Sequence, residues 1–241
     1  MGKIKLFCLP YAGGSANIYM EWKKYLHPLI ELNAIELAGR GPRSEVPFYK
    51  SVDEAVSDIY NRIKDDLNNC RYVIFGHSMG SVLAYELAYK IKSLQHLPPL
   101  HLFFSGRHAP QIKKDKKNLH VLPDNEFMRK VIELGGTPKE LLENRELLEI
   151  FLPILRADFQ IVETYNYIEK NEKLDCDITI LWGKQEEETT ISDISLWRGH
   201  TNKSCKIHLL NGGHFFINEF MQDVVSIINS EILSLSQYNF K

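Results

Sequence analysis

The chain has 241 residues, 44% hydrophobic and 25% charged, with a net charge of −2. That length and ordinary globular composition suit one domain with a sizeable core. The near-neutral charge excludes the global basic field of a nucleic-acid binder, since the longest basic run, Lys113 to Lys117, is local and interrupted by Asp115.

The first predicted element is a strand, KIKLFCL at 3–9. Its apolar stretch is too short for a signal-peptide core, and no segment approaches the ~20 apolar residues of a membrane span. Leu6 stands where a myristoylation signal has Ser or Thr. LNAIEL (32–37) is the second strand. Helical spacing follows at 53–67, with Ala55, Val56, Ile59, Ile63 and Leu67 on one face. YVIF (72–75) is a strand, 80–92 a helix and LHLFFS (100–105) another strand.

From about 107 to 175 there is helical pattern without a convincing strand. Thr137, Pro138 and Glu140 form a helix start with a capping box, and Pro153 predicts a kink or restart. ITILW (178–182), KIHLL (206–210) and a helix over 217–235 complete the order. Several strands are apolar at consecutive positions, as strands covered on both faces are. The alternation predicts an α/β fold with a mostly parallel, doubly wound sheet. Residues 1–241 then form one domain, with 107–175 inserted as a lid at the end of the sheet.

Cys8, Cys70, Cys176 and Cys205 show no CxxC spacing, and the nine histidines show no HExxH pairing. A soluble, cytoplasmic protein with reduced thiols and no metal or cofactor is expected.

The chemistry concentrates in three places. In YVIFGHSMGSVLAYELA, a strand runs through Gly76-His77-Ser78-Met79-Gly80 into a helix. This is G-x-S-x-G in the context of a nucleophile elbow, where Gly76 and Gly80 must be very small and Ser78 is forced outward at a helix N-terminus. His214 follows a strand and a Gly-Gly turn, and an imidazole there can take the serine proton near neutral pH. The third place is Gly183-Lys184-Gln185-Glu186-Glu187-Glu188 after the fifth strand. A carboxylate there would orient the imidazole and stabilise the imidazolium. No Asp occurs between 183 and 189, and Asp193 is the nearest. A glutamate is therefore expected, on a longer arm.

With these motifs, the sequence resembles the type II thioesterases that accompany nonribosomal peptide and polyketide synthases. LFCLPYAGGSANIY, IELAGRGPR, FGHSMGS, SGRHAP, LPILRADF and GGHFF match that family's motifs in order, nearly end to end. The resemblance implies an α/β-hydrolase fold with a helical lid. The implied activity is hydrolysis of acyl thioesters on the phosphopantetheine arm of carrier proteins, with no cofactor of the enzyme's own. It implies Ser78 as nucleophile, His214 as base, and the Met79 and Ala12 backbone N–H groups as the oxyanion hole. The family's acid is normally Asp, three residues after the glycine that ends the strand. Counting from Gly183 gives Glu186, a departure, with Glu187, Glu188 and Asp193 as alternatives.

Phe127, Leu134, Phe151 and Leu155, with Val131, Leu141, Leu148 and Phe159, are candidates for an acyl pocket under the lid or for the lid's own core. Arg107 and Lys113 to Lys117 are candidates for meeting an acidic carrier protein. A monomer is expected. An esterase or acyltransferase with the same triad, or a non-catalytic carrier-binding protein, stand as alternatives.

Overall fold

The computed structural model describes residues 2–114, 117–135, 144–187 and 189–238. Six strands form one sheet: β1 (Ile4–Leu9), β2 (Ile30–Ala34), β3 (Arg71–His77), β4 (His101–Ser105), β5 (Asp177–Gly183) and β6 (Cys205–Leu210). Their order is β2-β1-β3-β4-β5-β6, and every pairing is parallel. The consecutive apolar residues are explained by burial on both faces. Phe7, Leu9, Tyr72 and Ile74 join one core, while Ile4, Leu6, Cys8, Val73 and Phe75 join the other.

Helices α1 (Val52–Ile63) and α2 (Met79–Ser93) cover the first face. A 3-10 segment, Ala16–Lys24, and the last helix cover the second. Ser51 caps α1 by accepting the Glu54 N–H at 3.2 Å, and the helix buries Val52, Ala55, Val56, Ile59 and Ile63. The predicted boundary at 67 is corrected: α1 ends at Ile63, and Leu67 reaches the same core from the turns that follow. The second strand likewise lies earlier than 32–37 predicts.

Between β4 and β5 the described residues hold no strand, only an isolated bridge from Leu174 to Thr201. They hold a 3-10 turn (Leu119–Val121), α3 (Asp124–Glu133) and α4 (Arg145–Thr164). Leu119, Phe127, Met128, Val131 and Leu155 bury one another as a third apolar cluster. The predicted helix start at Thr137, Pro138 and Glu140, and Leu141, lie outside the described residues.

The restart expected at Pro153 is corrected, because α4 continues through it. Pro153 is exposed, while Ile154, Leu155, Asp158 and Ile161 are buried. The backbone bond lost to proline therefore falls where water can reach the freed carbonyl. Short helices α5 (Ile191–Ser195) and α6 (Phe216–Glu219) follow, then α7 (Met221–Tyr238). The single helix predicted over 217–235 is thus two.

The sheet order places a topological switch between β1 and β3, because the chain winds in opposite directions from that point. Open α/β sheets bind ligands outside the carboxyl ends of the strands at such a point. The loops after β1 and β3 carry Ala12 and Ser78.

Candidate active site

Ser78 lies between the end of β3 and the start of α2, at φ 53 and ψ −112. A non-glycine residue adopts this region only under compulsion from its surroundings, and it turns the side chain out of the elbow. The crowding predicted at the flanking glycines is real. A Cβ on Gly76 would stand 2.0 Å from the Gly80 carbonyl oxygen, and one on Gly80 would stand 2.1 Å from the Leu9 carbonyl oxygen. The Ser78 N–H donates to the Ser105 carbonyl at 2.8 Å, so β4 holds the elbow from the side. Beneath it, the buried Ser81 hydroxyl lies 2.8 Å from the Gly76 carbonyl and accepts the Ser105 N–H at 3.0 Å.

The next two groups are delivered by paired loops. After β5, the Lys184 N–H donates to the Leu210 carbonyl (2.8 Å) and the Gln185 N–H to the Gly212 carbonyl (3.0 Å). The Glu186 N–H turns back to the Gly183 carbonyl at 3.0 Å. This sets Glu186 beside the loop that carries His214. Glu186 Oε2 lies 2.5 Å from His214 Nδ1, and His214 Nε2 lies 3.0 Å from Ser78 Oγ. A carboxylate only accepts, so the neutral ring carries its proton on Nδ1, leaving Nε2 to accept from the serine hydroxyl. The glutamate side chain is buried, whereas the imidazole is partly exposed.

His77 lies behind this row, fully buried, with Nδ1 2.8 Å from Ser105 Oγ and its ring 5.2 Å from that of His214. Burial first, and the adjoining His214 second, push its pKa well below the usual histidine value. It is a neutral wall beside the site. Phe215 packs edge-on against His214, and Tyr11 packs against both Phe215 and His77.

Ser78, His214 and Glu186 open on a cavity of about 930 Å³. Ala12 and Met79 line the same cavity. Geometrically, the arrangement has a hydroxyl, a base in hydrogen-bond reach and a carboxylate behind the base, with Ala12 and Met79 on the wall of the same cavity.

Residues 4–232 match the family described as thioesterase domain. The chain belongs to this family. It is 39% identical over 235 residues to linear gramicidin dehydrogenase LgrE of Brevibacillus parabrevis, covering 96% of this chain and 89% of LgrE. The crystal structure of ClbQ from the colibactin NRPS/PKS pathway superposes with a TM-score of 0.94 at 35% identity, covering 98% of this chain and all of ClbQ. The type II thioesterase BorB from the borrelidin biosynthetic cluster gives 0.86 at 30% identity, covering 95% and 92%. The LgrE name is that of a dehydrogenase. In this thioesterase the turn after β1 reads Pro10-Tyr11-Ala12-Gly13-Gly14, without the G-x-G-x-x-G pattern of a dinucleotide-binding turn.

The thioesterase has the α/β-hydrolase fold, as predicted. Of the other acid candidates, Asp193 is committed elsewhere. It closes a capping box on α5, accepting the Thr190 N–H at 3.0 Å, and pairs with Lys114 at 3.0 Å. Those contacts, led by the Thr190 backbone, hold its pKa below the usual Asp range. Glu187 lines the cavity, and Glu188 lies outside the described residues.

The pocket candidates divide. Leu134, Leu155, Val131 and Phe159 line the cavity of the thioesterase. Phe127 does not: it is buried in the third cluster, with Phe159 edge-on and the Arg156 guanidinium over its ring. Phe151 does not either, because it faces outward from the first half of α4. Leu148 packs on the cluster from outside. Arg107, Lys113, Lys114 and Lys117 sit on the cavity's border, with Asp115 and Lys116 outside the described residues.

One buried polar cluster beside the site has no counterpart among the sequence-based expectations. Arg40, from the loop after β2, meets Asp158 of α4 in a two-pronged ion pair. The signal lay in LPILRADFQIV, where Asp158 falls on the stripe otherwise made by Ile154, Leu155 and Ile161. A charge on a buried helix face demands a partner.

Proposed function

We propose that this thioesterase removes acyl groups from the phosphopantetheine arm of carrier proteins in nonribosomal peptide or polyketide assembly, clearing stalled chains or releasing intermediates. The observation that carries this reading is the hydrogen-bonded row Ser78–His214–Glu186 on the wall of the 930 Å³ cavity. Its kinship with ClbQ and BorB supports the pathway class.

In this reading His214 Nε2 takes the hydroxyl proton as Ser78 Oγ bonds to the thioester carbonyl carbon. The carbonyl oxygen gains the negative charge, which the Met79 and Ala12 N–H groups and the N-terminal end of α2 stabilise. The C–S bond then breaks, and the imidazolium proton leaves with the pantetheine thiol. Water attacks the acyl-serine with His214 again as base, and the carboxylic acid departs while Ser78 regains its proton. Glu186 holds the Nδ1 proton and balances the imidazolium formed in each step. The acyl chain lies along Leu134, Leu155, Val131 and Phe159. The cationic border at Arg107 and Lys113 faces the phosphate end of the arm and an acidic carrier. The enzyme brings no cofactor, since pantetheine arrives with the substrate.

The test compares one acyl group in three settings: on a carrier protein, on free pantetheine, and as an oxygen ester. The reading predicts the highest kcat/KM on the carrier and the lowest on the oxygen ester. Preference for the oxygen ester would make the protein a general esterase. Transfer to an added alcohol or amine in place of hydrolysis would make it an acyltransferase.

A further inference from the structure

The loop after β1 is held from two sides by groups far away in the chain. The Gly13 N–H donates to Asp158 Oδ2 at 2.7 Å, across 145 positions of sequence. Arg40 completes the arrangement. Its Nη1 donates to Asp158 Oδ2 (2.8 Å) and to the Gly14 carbonyl (2.8 Å), and its Nη2 donates to Asp158 Oδ1 (2.6 Å). Both side chains are almost wholly buried, at 4% and 3% exposure. One helical turn before Asp158, Leu155 packs on the same glycine. A Cβ on Gly13, whose φ is +79, would stand 2.4 Å from Leu155 Cδ2.

These contacts fix more than the position of the loop. The Gly14 N–H donates to the Tyr11 carbonyl at 2.9 Å. That carbonyl belongs to the same planar peptide as the Ala12 N–H, and in a trans peptide the two point in opposite directions. With Gly13 tied to Asp158 and Gly14 tied to Arg40, the Tyr11–Ala12 peptide has one orientation, and the Ala12 N–H is aimed away from the turn. A plain structural tie has no need of charges, because apolar groups of similar volume often serve a buried site equally well or better. A bidentate guanidinium–carboxylate pair adds fixed direction.

We propose that Arg40 and Asp158 are positioning residues: they set the Tyr11–Ala12 peptide as an oxyanion donor, and they do so only while α4 is seated beside the loop. The proposal rests on the reading of Ala12 given under Proposed function. Helix α4 thereby contributes to the acyl cavity through Leu155 and to the reacting centre through Asp158, so seating the helix and completing the oxyanion hole are one event.

The test is steady-state kinetics on an acyl-pantetheine thioester, with Asp158→Asn and the paired variant Arg40→Met/Asp158→Leu, which leaves no buried charge alone. Losing a preorganised oxyanion donor lowers kcat on the order of 10²-fold. KM should stay within about threefold, because the lost contact belongs to the transition state. Affinity for a boronic acid that forms a tetrahedral adduct on Ser78 should fall in step with kcat. A folded paired variant with wild-type kcat, or a loss confined to KM, would overturn the proposal.

If neither variant folds, hydrogen exchange at the Gly13 amide of the wild type decides. Slow exchange in step with the amides of α4 is expected, and exchange at free-loop rates would refute the tie. Failure of the functional reading looks different: wild type itself would release no acyl group.

Discussion

Glu186, the proposed acid, is one methylene longer than the aspartate implied by the family resemblance. The geometry accommodates it because the loop turns back at once, with the Glu186 N–H on the Gly183 carbonyl and Gln185 tied to Gly212. The buried carboxylate then reaches Nδ1 of His214. Glu186→Gln keeps the shape but offers a neutral amide, which neither favours the Nδ1-protonated tautomer as strongly nor balances an imidazolium. Turnover should fall on the order of 10²–10⁴-fold, with little change in KM. Glu187→Gln and Asp193→Asn should retain most of the rate, since one lies at the cavity border and the other caps α5. Rates of all three on one thioester check this, and full activity in Glu186→Gln would show the register to be wrong. The meeting of Ser78, His214 and Glu186 was legible in the sequence because each lies within four residues of a strand end, where local pattern fixes position. Arg40 and Asp158 were not legible as a pair. They lie 118 positions apart, and only the fold brings them together.

Helix α4 joins the cavity, the third apolar cluster and the ion pair to Arg40, and it does so with a proline in its interior. Pro153 removes one backbone donor, and its ring crowds the preceding turn. Its exposed position means that substitution costs little packing. Pro153→Ala should stabilise the protein by about 1–3 kcal/mol, a rise in Tm of roughly 2–4 °C per kcal/mol for a chain of this size. Thermal unfolding followed by circular dichroism reads this, and a lower Tm would mean that the seating of α4 depends on the bend proline imposes. The helical character of this region was legible from its spacing. The continuity of α4 was not, because the cost of a proline depends on which side of the helix faces water. The same limit applied at β2, where the apolar run LNAIEL continues past the last ladder pair into a buried loop.

Across the whole molecule, the parallel order brings the segments that follow β1, β3, β5 and β6 to one end of the sheet, and every proposed catalytic group lies on one of them. That much of the architecture was legible from apolar runs alternating with helical spacing. The packed interior also carries neutral histidines. His101 sits on β4 with Nε2 2.8 Å from Thr179 Oγ1, and burial lowers its pKa from 6.5 to about 4. Burial also lowers His108 and His200 to about 4. The unfolded chain therefore binds protons near 6.5 that the folded chain refuses until about pH 4. Stability is complete above pH 6.5 and is lost as pH falls toward 4, with His101 contributing about 2–3 kcal/mol. Urea midpoints should drop steadily between pH 7 and 4.5, and a non-titrating residue at position 101 should flatten the slope. A constant midpoint would contradict this. The most direct measurement of the central claim is intact mass of an acylated carrier protein over time, with wild type beside Ser78→Ala. Wild type alone should remove the acyl mass, leaving holo-carrier and free acid. Equal loss with both proteins, or with neither across a range of acyl groups, would contradict it.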